Sequence, residues 1–376
     1  MSEDLFNPQI VEQMPNKVLA DNVAKIAVVG VGGGGCNMIN HMINEGIYKV
    51  DLIVANTDLQ ALRVSKAPKK IQLGLELTKG LGAGMRPEIG RDSAIESFDE
   101  IKESLEGSDI VFVAAGLGGG TGTGAAAIIA KAAKDVGALT VAVVTKPFKW
   151  EGKRRTGLAN LGLEELKKVT DSIIVVKNDK LKDISDPNIG MKDAFKIVDN
   201  ILYQAVNGMS EVILKPGTND INADFADIQT IMQHKGMALM GIGKAKGENA
   251  TLKALENAIK SPLLDEVTLS GAQGIMVHWT VNPNIPLSSV TDIMEEINNT
   301  IDGDADIIFG TTTDDTLDED EVKITIVATG FDSPDDSDNN KKEQDVQESA
   351  AILTPNDPEY YDTPPLMRGY SIKFQL

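Results

Sequence analysis

Residues 109–124 read Asp109-Ile-Val-Phe-Val-Ala-Ala-Gly-Leu-Gly-Gly-Gly-Thr-Gly-Thr-Gly124. The first half, Asp109–Ala115, is a short apolar run of the kind buried in parallel sheets. The second half, Gly118–Gly124, has five glycines and two threonines in seven residues and is expected to open a helix over Thr121–Val136. Packing alone hardly accounts for so much glycine. In a helix-entry loop, glycines permit positive-φ turns that aim successive N–H groups inward as an anion nest. Thr121 and Thr123 would add hydroxyl donors.

The same strand, glycine turn and helix grammar recurs upstream. Lys25–Gly30 is an apolar run followed by Gly30-Val-Gly-Gly-Gly-Gly35, which fits G-x-G-x-x-G and opens a helix at about Cys36. Further strands are expected at Asp51–Asn56, Thr140–Val144 and Ser172–Val176, with helical segments between them, one of them over Arg91–Glu106. Strands alternating with helices predict a doubly wound parallel sheet with right-handed crossovers. One G-x-G-x-x-G is a weak sign of nucleotide binding. Two glycine loops at neighbouring strand ends could grip a di- or triphosphate from both sides. No G-x-x-x-x-G-K-[ST] run is present, so the loops are not a P-loop. A third glycine stretch, Gly80-Leu-Gly-Ala-Gly-Met-Arg-Pro87, could close over the terminal phosphate or be a surface loop.

Downstream, a long helix is expected over Met191–Ile213, because Phe195, Val198, Leu202, Ala205, Val206, Met209 and Ile213 recur at helical steps. Pro216-Gly217 ends it. A second α/β unit follows, with strands at Met237–Gly243, Gly274–Val281, Ala305–Thr311 and Glu321–Thr329. Helices fit Asn249–Lys260 and Ser288–Ile301. The acidic turn Asp314–Asp320 suggests that the last two strands form a hairpin in a mixed sheet. Residues 332–349 are polar and acid-leaning and read as a disordered linker. Apolar groups return at Tyr360, Tyr361, Leu366, Met367, Tyr370, Ile372 and Phe374, as in a partner-binding peptide on a tether or a frayed terminus.

The 376 residues carry a net charge of -20, which disfavours nucleic-acid and anionic-membrane surfaces as partners. A single cysteine, Cys36, excludes an intramolecular disulfide framework, and the three histidines are too scattered for a local metal motif. No secretory leader and no membrane-spanning run are read in the sequence, so a cytoplasmic protein with no direct membrane insertion is expected.

Taken together, Gly118–Gly124, Gly32–Gly35 with Asn37, and Asn222-Ala-Asp224-Phe-Ala-Asp227 resemble the tubulin/FtsZ superfamily. Asn56-Thr-Asp58, Thr145-Lys-Pro-Phe148, Glu151-Gly152 and Ser261-Pro-Leu-Leu264 make the chain similar to that superfamily's bacterial FtsZ branch over about residues 25–330. The resemblance implies an N-terminal Rossmann-like GTP-binding domain (24–190), a central helix (191–215) and a C-terminal α/β domain (216–330) that serves polymerisation and GTPase activation. Residues 1–23 would be a flexible arm, 331–355 a linker and 356–376 a partner-binding peptide.

It also implies the site. Gly33, Gly34, Gly35, Cys36 and Asn37, with Gly118, Gly119, Gly120, Thr121, Gly122, Thr123 and Gly124, would hold the phosphates of GTP or GDP, with Asn56 nearby. Ala83 and Gly84 would approach the γ-phosphate, Glu151 the ribose, and Arg155 the sugar and phosphates. Phe195 would stack on the base, and Asn178 and Asp199 would read it. Guanine offers donors at N1 and N2 to an acceptor-only carboxylate. A buried Asp199 would then favour GTP over ATP by ~10⁴-fold. Nothing near the glycine loops looks like a water-activating base. By the resemblance, Asn222, Asp224 and Asp227 would enter the pocket of the next subunit in a head-to-tail homopolymer, where the two acids polarise water beside a Mg²⁺ held mainly by the phosphates. Taken alone, Asp224 could equally be a helix N-cap.

Such a protein builds the division ring at midcell. Its tail, here Asp362-Thr-Pro-Pro-Leu-Met-Arg368, docks to membrane-tethering adaptors such as the actin-like FtsA. Three features depart from the pattern: Cys36 in place of a smaller residue, a longer Thr218–Ala223 stretch, and a tail that continues through Gly369–Leu376. The competing readings are an NAD-binding Rossmann oxidoreductase and a nucleotide-binding scaffold without turnover.

Overall fold

The computed structural model describes residues 24–47, 49–181, 189–214, 225–234, 236–261, 264, 271–300 and 305–331. The expected arm, the Pro216-Gly217 stop, Asn222, Asp224, the Thr218–Ala223 stretch, the linker and the tail peptide lie outside them. The first half of the chain runs β1 (Ile26–Val31), α1 (Gly32–Glu45), β2 (Val50–Asn56), α2 (Leu59–Val64), β3 (Lys69–Gln72), α3 (Leu75–Thr78), α4 (Pro87–Glu96), α5 (Phe98–Leu105), β4 (Ile110–Gly116), α6 (Thr121–Asp135), β5 (Leu139–Lys146), α7 (Lys153–Lys167) and β6 (Ser172–Lys177). The second half runs α8 (Met191–Leu214), α9 (Phe225–Met232), β7 (Gly236–Lys246), α10 (Ala250–Ile259), β8 (Gly274–Val281), α11 (Leu287–Thr300), β9 (Asp306–Thr313) and β10 (Glu321–Phe331).

Among the described residues, ten strands form one sheet in the order β3-β2-β1-β4-β5-β6-β7-β10-β8-β9. The pairs from β3 to β7 are all parallel. All six residues of β1 are buried, as a central parallel strand requires. Its period of two sorts them between two cores. Ile26 and Val28 face Met38, Ile39 and Met42 of α1 and the stripe Val198, Leu202, Ala205, Val206 and Met209 of α8. Ala27, Val29 and Val31 face the opposite layer, with Ala126, Ile129 and Ala130 of α6, Ile101 of α5 and Leu163 of α7. The second α/β unit continues this sheet through parallel pairing of Ser172 with Gly236, Ile173 with Met237 and Ile174 with Ala238.

Several expectations change. The first helix begins at Gly32, so it contains the glycine run expected to precede it. The segment Arg91–Glu106 divides into α4 and α5 at Ser97, whose hydroxyl accepts from the Gly74 N–H at 3.2 Å. The sheet of the second unit is mixed, but β9 and β10 form no hairpin. β8 lies between them, parallel to β9 and antiparallel to β10. Burial fits the arrangement: β8 is buried for its first six residues and needs neighbours on both sides, whereas β9 buries only one of its eight residues and suits an edge.

Candidate functional site

A cavity of about 370 Å³ opens where β1, β4, β5 and β6 end. β1 runs directly into α1, and β4 reaches α6 through Leu117–Gly120. The two turns pack main chain against main chain: a Cβ on Gly34 would lie 3.2 Å from the Gly116 N and Cα. Both helices thus start at the cavity. Neither has an acidic residue in its first turn or a side-chain N-cap. Their N–H groups and positive dipole ends are left for an anion.

The glycines divide by role. A Cβ on Gly33 or Gly119 would meet nothing within 4 Å, and both residues line the cavity. There the missing side chain leaves room for a ligand. Elsewhere it leaves room for protein. A Cβ on Gly35 would lie 2.6 Å from the Ala114 carbonyl oxygen, one on Gly122 2.6 Å from that of Gly116, and one on Gly124 1.9 Å from that of Pro87. Gly120 approaches Ala83 and the Arg86 N–H in the same way, which brings the third glycine stretch against the second. Packing therefore accounts for much of the glycine density. Within 118–124 only Gly118 has a positive φ, +98°. Close approach, more than left-handed turns, shapes the loop.

The threonines also divide. Thr123 is buried, and its hydroxyl accepts from the Gly118 N–H at 2.9 Å, so it braces the loop from behind. Thr121 lines the cavity, with its hydroxyl 2.7 Å from that of Thr57.

The far end of the cavity has different chemistry. Phe195 and Asp199 enter it from the first turns of α8, and Asn178 enters at the end of β6. Phe195 extends the apolar stripe of its helix in sequence, yet it is 39% exposed and borders the cavity. Its ring meets Phe148 edge to face at 5.8 Å, and Phe148 stacks on Trp150 at 5.5 Å. Asn178 is buried, and its Oδ1 has no partner among the described residues. A buried acceptor left bare costs about 1–3 kcal/mol, so the arrangement suits a ligand that brings a donor. Burial raises the Asp199 carboxyl to about 6, opposed by the charge of His41. Glu151 accepts from the Phe148 N–H at 2.9 Å through one oxygen and pairs with Arg155 at 2.5 Å through the other.

Of the remaining candidates, Gly34, Asn37, Gly120 and Gly122 also line the cavity. Cys36 and Asn56 stand behind the wall, buried, with the Asn56 amide donating to the thiol at 3.6 Å. Burial pushes the Cys36 thiol up. Ala83 is buried, while Gly84 has a φ of +57° and open space beside it. That loop is tied to α2 by the bridge between Asp58 and Leu81 and by the Gly82 N–H to the Thr57 carbonyl. Asp227 lies in the first turn of α9 and is not among the lining residues. Sequence reading did not place Gly116, Leu117, Thr145, Pro147, Val198 or Leu202 in the site, although all line it. Position was the usable signal, since ligands of open α/β sheets lie beyond the carboxyl ends of strands. Gly116 ends β4, and Thr145 is the penultimate residue of β5.

Residues 25–186 match the family model described as "Tubulin/FtsZ family, GTPase domain", and residues 236–332 match "FtsZ family, C-terminal domain". Among solved structures, the chain is similar to an empty FtsZ dimer from M. jannaschii, with 44% identity and a TM-score of 0.77 over 86% of this chain and 92% of that one. It shares its fold with CetZ2 from Haloferax volcanii, solved as a GTPγS-bound protofilament, with 19% identity and a TM-score of 0.71 over 87% of this chain and 100% of that one. The GDP-bound monomer of CetZ1 from the same organism matches equally, with 19% identity and a TM-score of 0.71 over 86% and 99%.

Proposed function

We infer the function from one premise: this chain belongs to the FtsZ family of the tubulin/FtsZ GTPases. It is a cytoskeletal GTPase and not an NAD-dependent oxidoreductase. The proposal concerns how it works. GTP lies with its phosphates between the starts of α1 and α6 and its base at the start of α8. Gly33, Gly34 and Asn37 on one side, and Gly119, Gly120, Thr121 and Gly122 on the other, form the phosphate cradle. Gly35, Gly118, Thr123 and Gly124 set the shape of that cradle from behind, and Ala83 and Gly84 close it over the γ-phosphate.

Guanine stacks on Phe195. Its N1 and N2 protons go to the Asp199 carboxylate, and the unpartnered oxygen of Asn178 takes a further donor. Glu151 retains lone pairs for the ribose hydroxyls, and its bond to Arg155 aims the guanidinium at the sugar and phosphates. A Mg²⁺ would be held mainly through the phosphates, where it would neutralise their charge. The protein oxygens beside the glycine loops, the Thr121 hydroxyl among them, are neutral hard donors. They fit a cation that keeps most of its water and neutralises phosphate charge.

One observation supports a shared site above all. Among the described residues, the carboxylates that line the cavity are Glu151 and Asp199. Glu151 is engaged by a backbone N–H and by Arg155, and Asp199 lies at the base end. Neither is available to orient water on a γ-phosphate at the glycine loops. Asp224 and Asp227, with Asn222, supply that function from the next subunit. A head-to-tail contact that does not close on itself gives a filament. Hydrolysis is thereby tied to polymerisation, and residues 24–190 and 216–330 form the two halves of each shared site. The filament acts in the cytoplasm at the division site, and residues 356–376 dock to an FtsA-like membrane adaptor. No helix among the described residues is long and apolar enough to cross a membrane. The test is Asp227→Ala, which should bind GTP and assemble normally while hydrolysing GTP at least ~10²-fold more slowly. Hydrolysis at the parent rate would reject the shared site.

A further inference from the structure

Between β5 and α7 the chain makes one turn of 3₁₀ helix, Lys149–Glu151, directly after Phe148. Phe148 is buried and is not among the residues that line the cavity, yet its contacts lead there. Its ring meets the Phe195 ring edge to face, with centroids 5.8 Å apart at 84°. Its N–H donates to Oε1 of Glu151 at 2.9 Å, and its carbonyl accepts from the Glu151 N–H at 2.9 Å. The next residue, Lys149, donates its N–H to Oδ2 of Asp179 at 3.1 Å, beside Asn178. The exposed ring of Trp150 stacks on Phe148 at 5.5 Å and 20°. A buried ring outside the cavity is thus tied to two residues that line it, Phe195 and Glu151.

We infer that Phe148 is a positioning residue for nucleotide binding: its ring holds the Phe195 ring in the orientation that stacks on the base. The inference rests on the reading of Phe195 as the base-stacking group. Phe195 stands partly exposed at the edge of the cavity, so core packing alone does not fix its ring. A ring free to turn loses rotamer entropy when a base settles on it, and that loss weakens binding. An edge-to-face partner that is itself held still removes much of the loss before the ligand arrives. Phe148 is held by burial in the core that contains Val198 and Leu202, by its main-chain bonds to Glu151 and by the Trp150 stack. A leucine there would keep the main-chain bonds and most of the apolar contact. It would lack the ring edge and face that set the angle of Phe195. Position 148 therefore acts on affinity through Phe195, without touching the nucleotide.

The test is a double-mutant cycle on the full chain, with GDP affinity measured by equilibrium dialysis for the parent, Phe148→Leu, Phe195→Leu and the variant with both changes. GDP avoids turnover. Phe195→Leu should weaken GDP binding at least ~5-fold, the loss of one base–aromatic stack. Phe148→Leu should weaken it roughly 2–10-fold in the parent and add no further loss once Phe195 is leucine. The same fold-loss in both backgrounds would overturn the inference, since it signals general packing and no action through Phe195. Unchanged affinity in Phe148→Leu would overturn it too. Should Phe148→Leu not fold, Trp150→Leu, at the exposed end of the stack, carries the same cycle, and its loss of affinity should likewise vanish in the Phe195→Leu background. If Phe195→Leu binds GDP as the parent does, it is the stacking reading that fails, and the inference falls with it.

Discussion

The Thr123 hydroxyl accepts a hydrogen bond from the Gly118 N–H at 2.9 Å, closing the glycine loop on itself. The residue is buried, and its methyl group fills space that a Cβ on Gly162 would enter at 2.6 Å. Thr123 therefore acts on nucleotide binding through loop shape. Thr123→Val keeps the volume and leaves the Gly118 N–H bare, at a cost of about 1–3 kcal/mol. Thermal unfolding should show that loss, and GDP affinity should fall with it. Thr123→Ser should retain both more fully. A Val variant with unchanged stability and affinity would contradict the bracing role.

The division of glycines gives a paired prediction. Gly119→Ala puts its methyl group into open cavity, so the nucleotide-free protein should unfold at the parent temperature while GDP binds at least ~10-fold more weakly. Gly124→Ala puts its methyl group 1.9 Å from the Pro87 carbonyl oxygen. It should lose about 1–3 kcal/mol of stability before any ligand is added. Calorimetry with and without GDP separates the two, and equal effects on stability would refute the division.

Asp199 gives a pH dependence with two opposite signs. With its carboxyl raised to about 6, guanine affinity should hold above that value and decline below it. Without nucleotide the sign reverses. The folded state binds this proton more tightly than the unfolded chain, whose carboxyl titrates near ~3.9. The stability from that proton is complete below the unfolded value and is lost as pH rises through about 6. Asp199→Asn should therefore stabilise the empty protein at pH 7 relative to the parent, with the difference shrinking toward pH 5. The same variant should flatten the GDP affinity profile. Chemical denaturation of both proteins across this range is the check.

The sheet was legible in the sequence because the central strands are continuous apolar runs, as in Ile26–Val31 and Ile110–Gly116, and such runs have few other places to go. The long helix was legible from its stripe, but the stripe did not reveal that Phe195 leaves the core for the cavity edge. Short polar elements were hidden. β3 buries one residue of Lys69-Lys-Ile-Gln72, too few to give a period. The position of β10 beside β8 was also hidden, since strand order depends on burial across the whole sheet and not on the turn that joins neighbours. Glycine content marked stretches that border the cavity, but the sequence could not separate Gly119, open to the cavity, from Gly124, pressed on Pro87. That distinction is made by contacts between α4 and α6, which only the fold supplies.

The claim that the pocket is only half of a catalytic site is tested most directly by the rate of phosphate release per subunit as protein concentration rises at saturating GTP. A site completed by the neighbour's Asp224 and Asp227 predicts negligible release below a threshold concentration, then a steeper-than-linear rise, with Asp227→Ala flat throughout. A specific rate independent of dilution would show that each subunit cleaves GTP alone, and the shared-site account would be wrong.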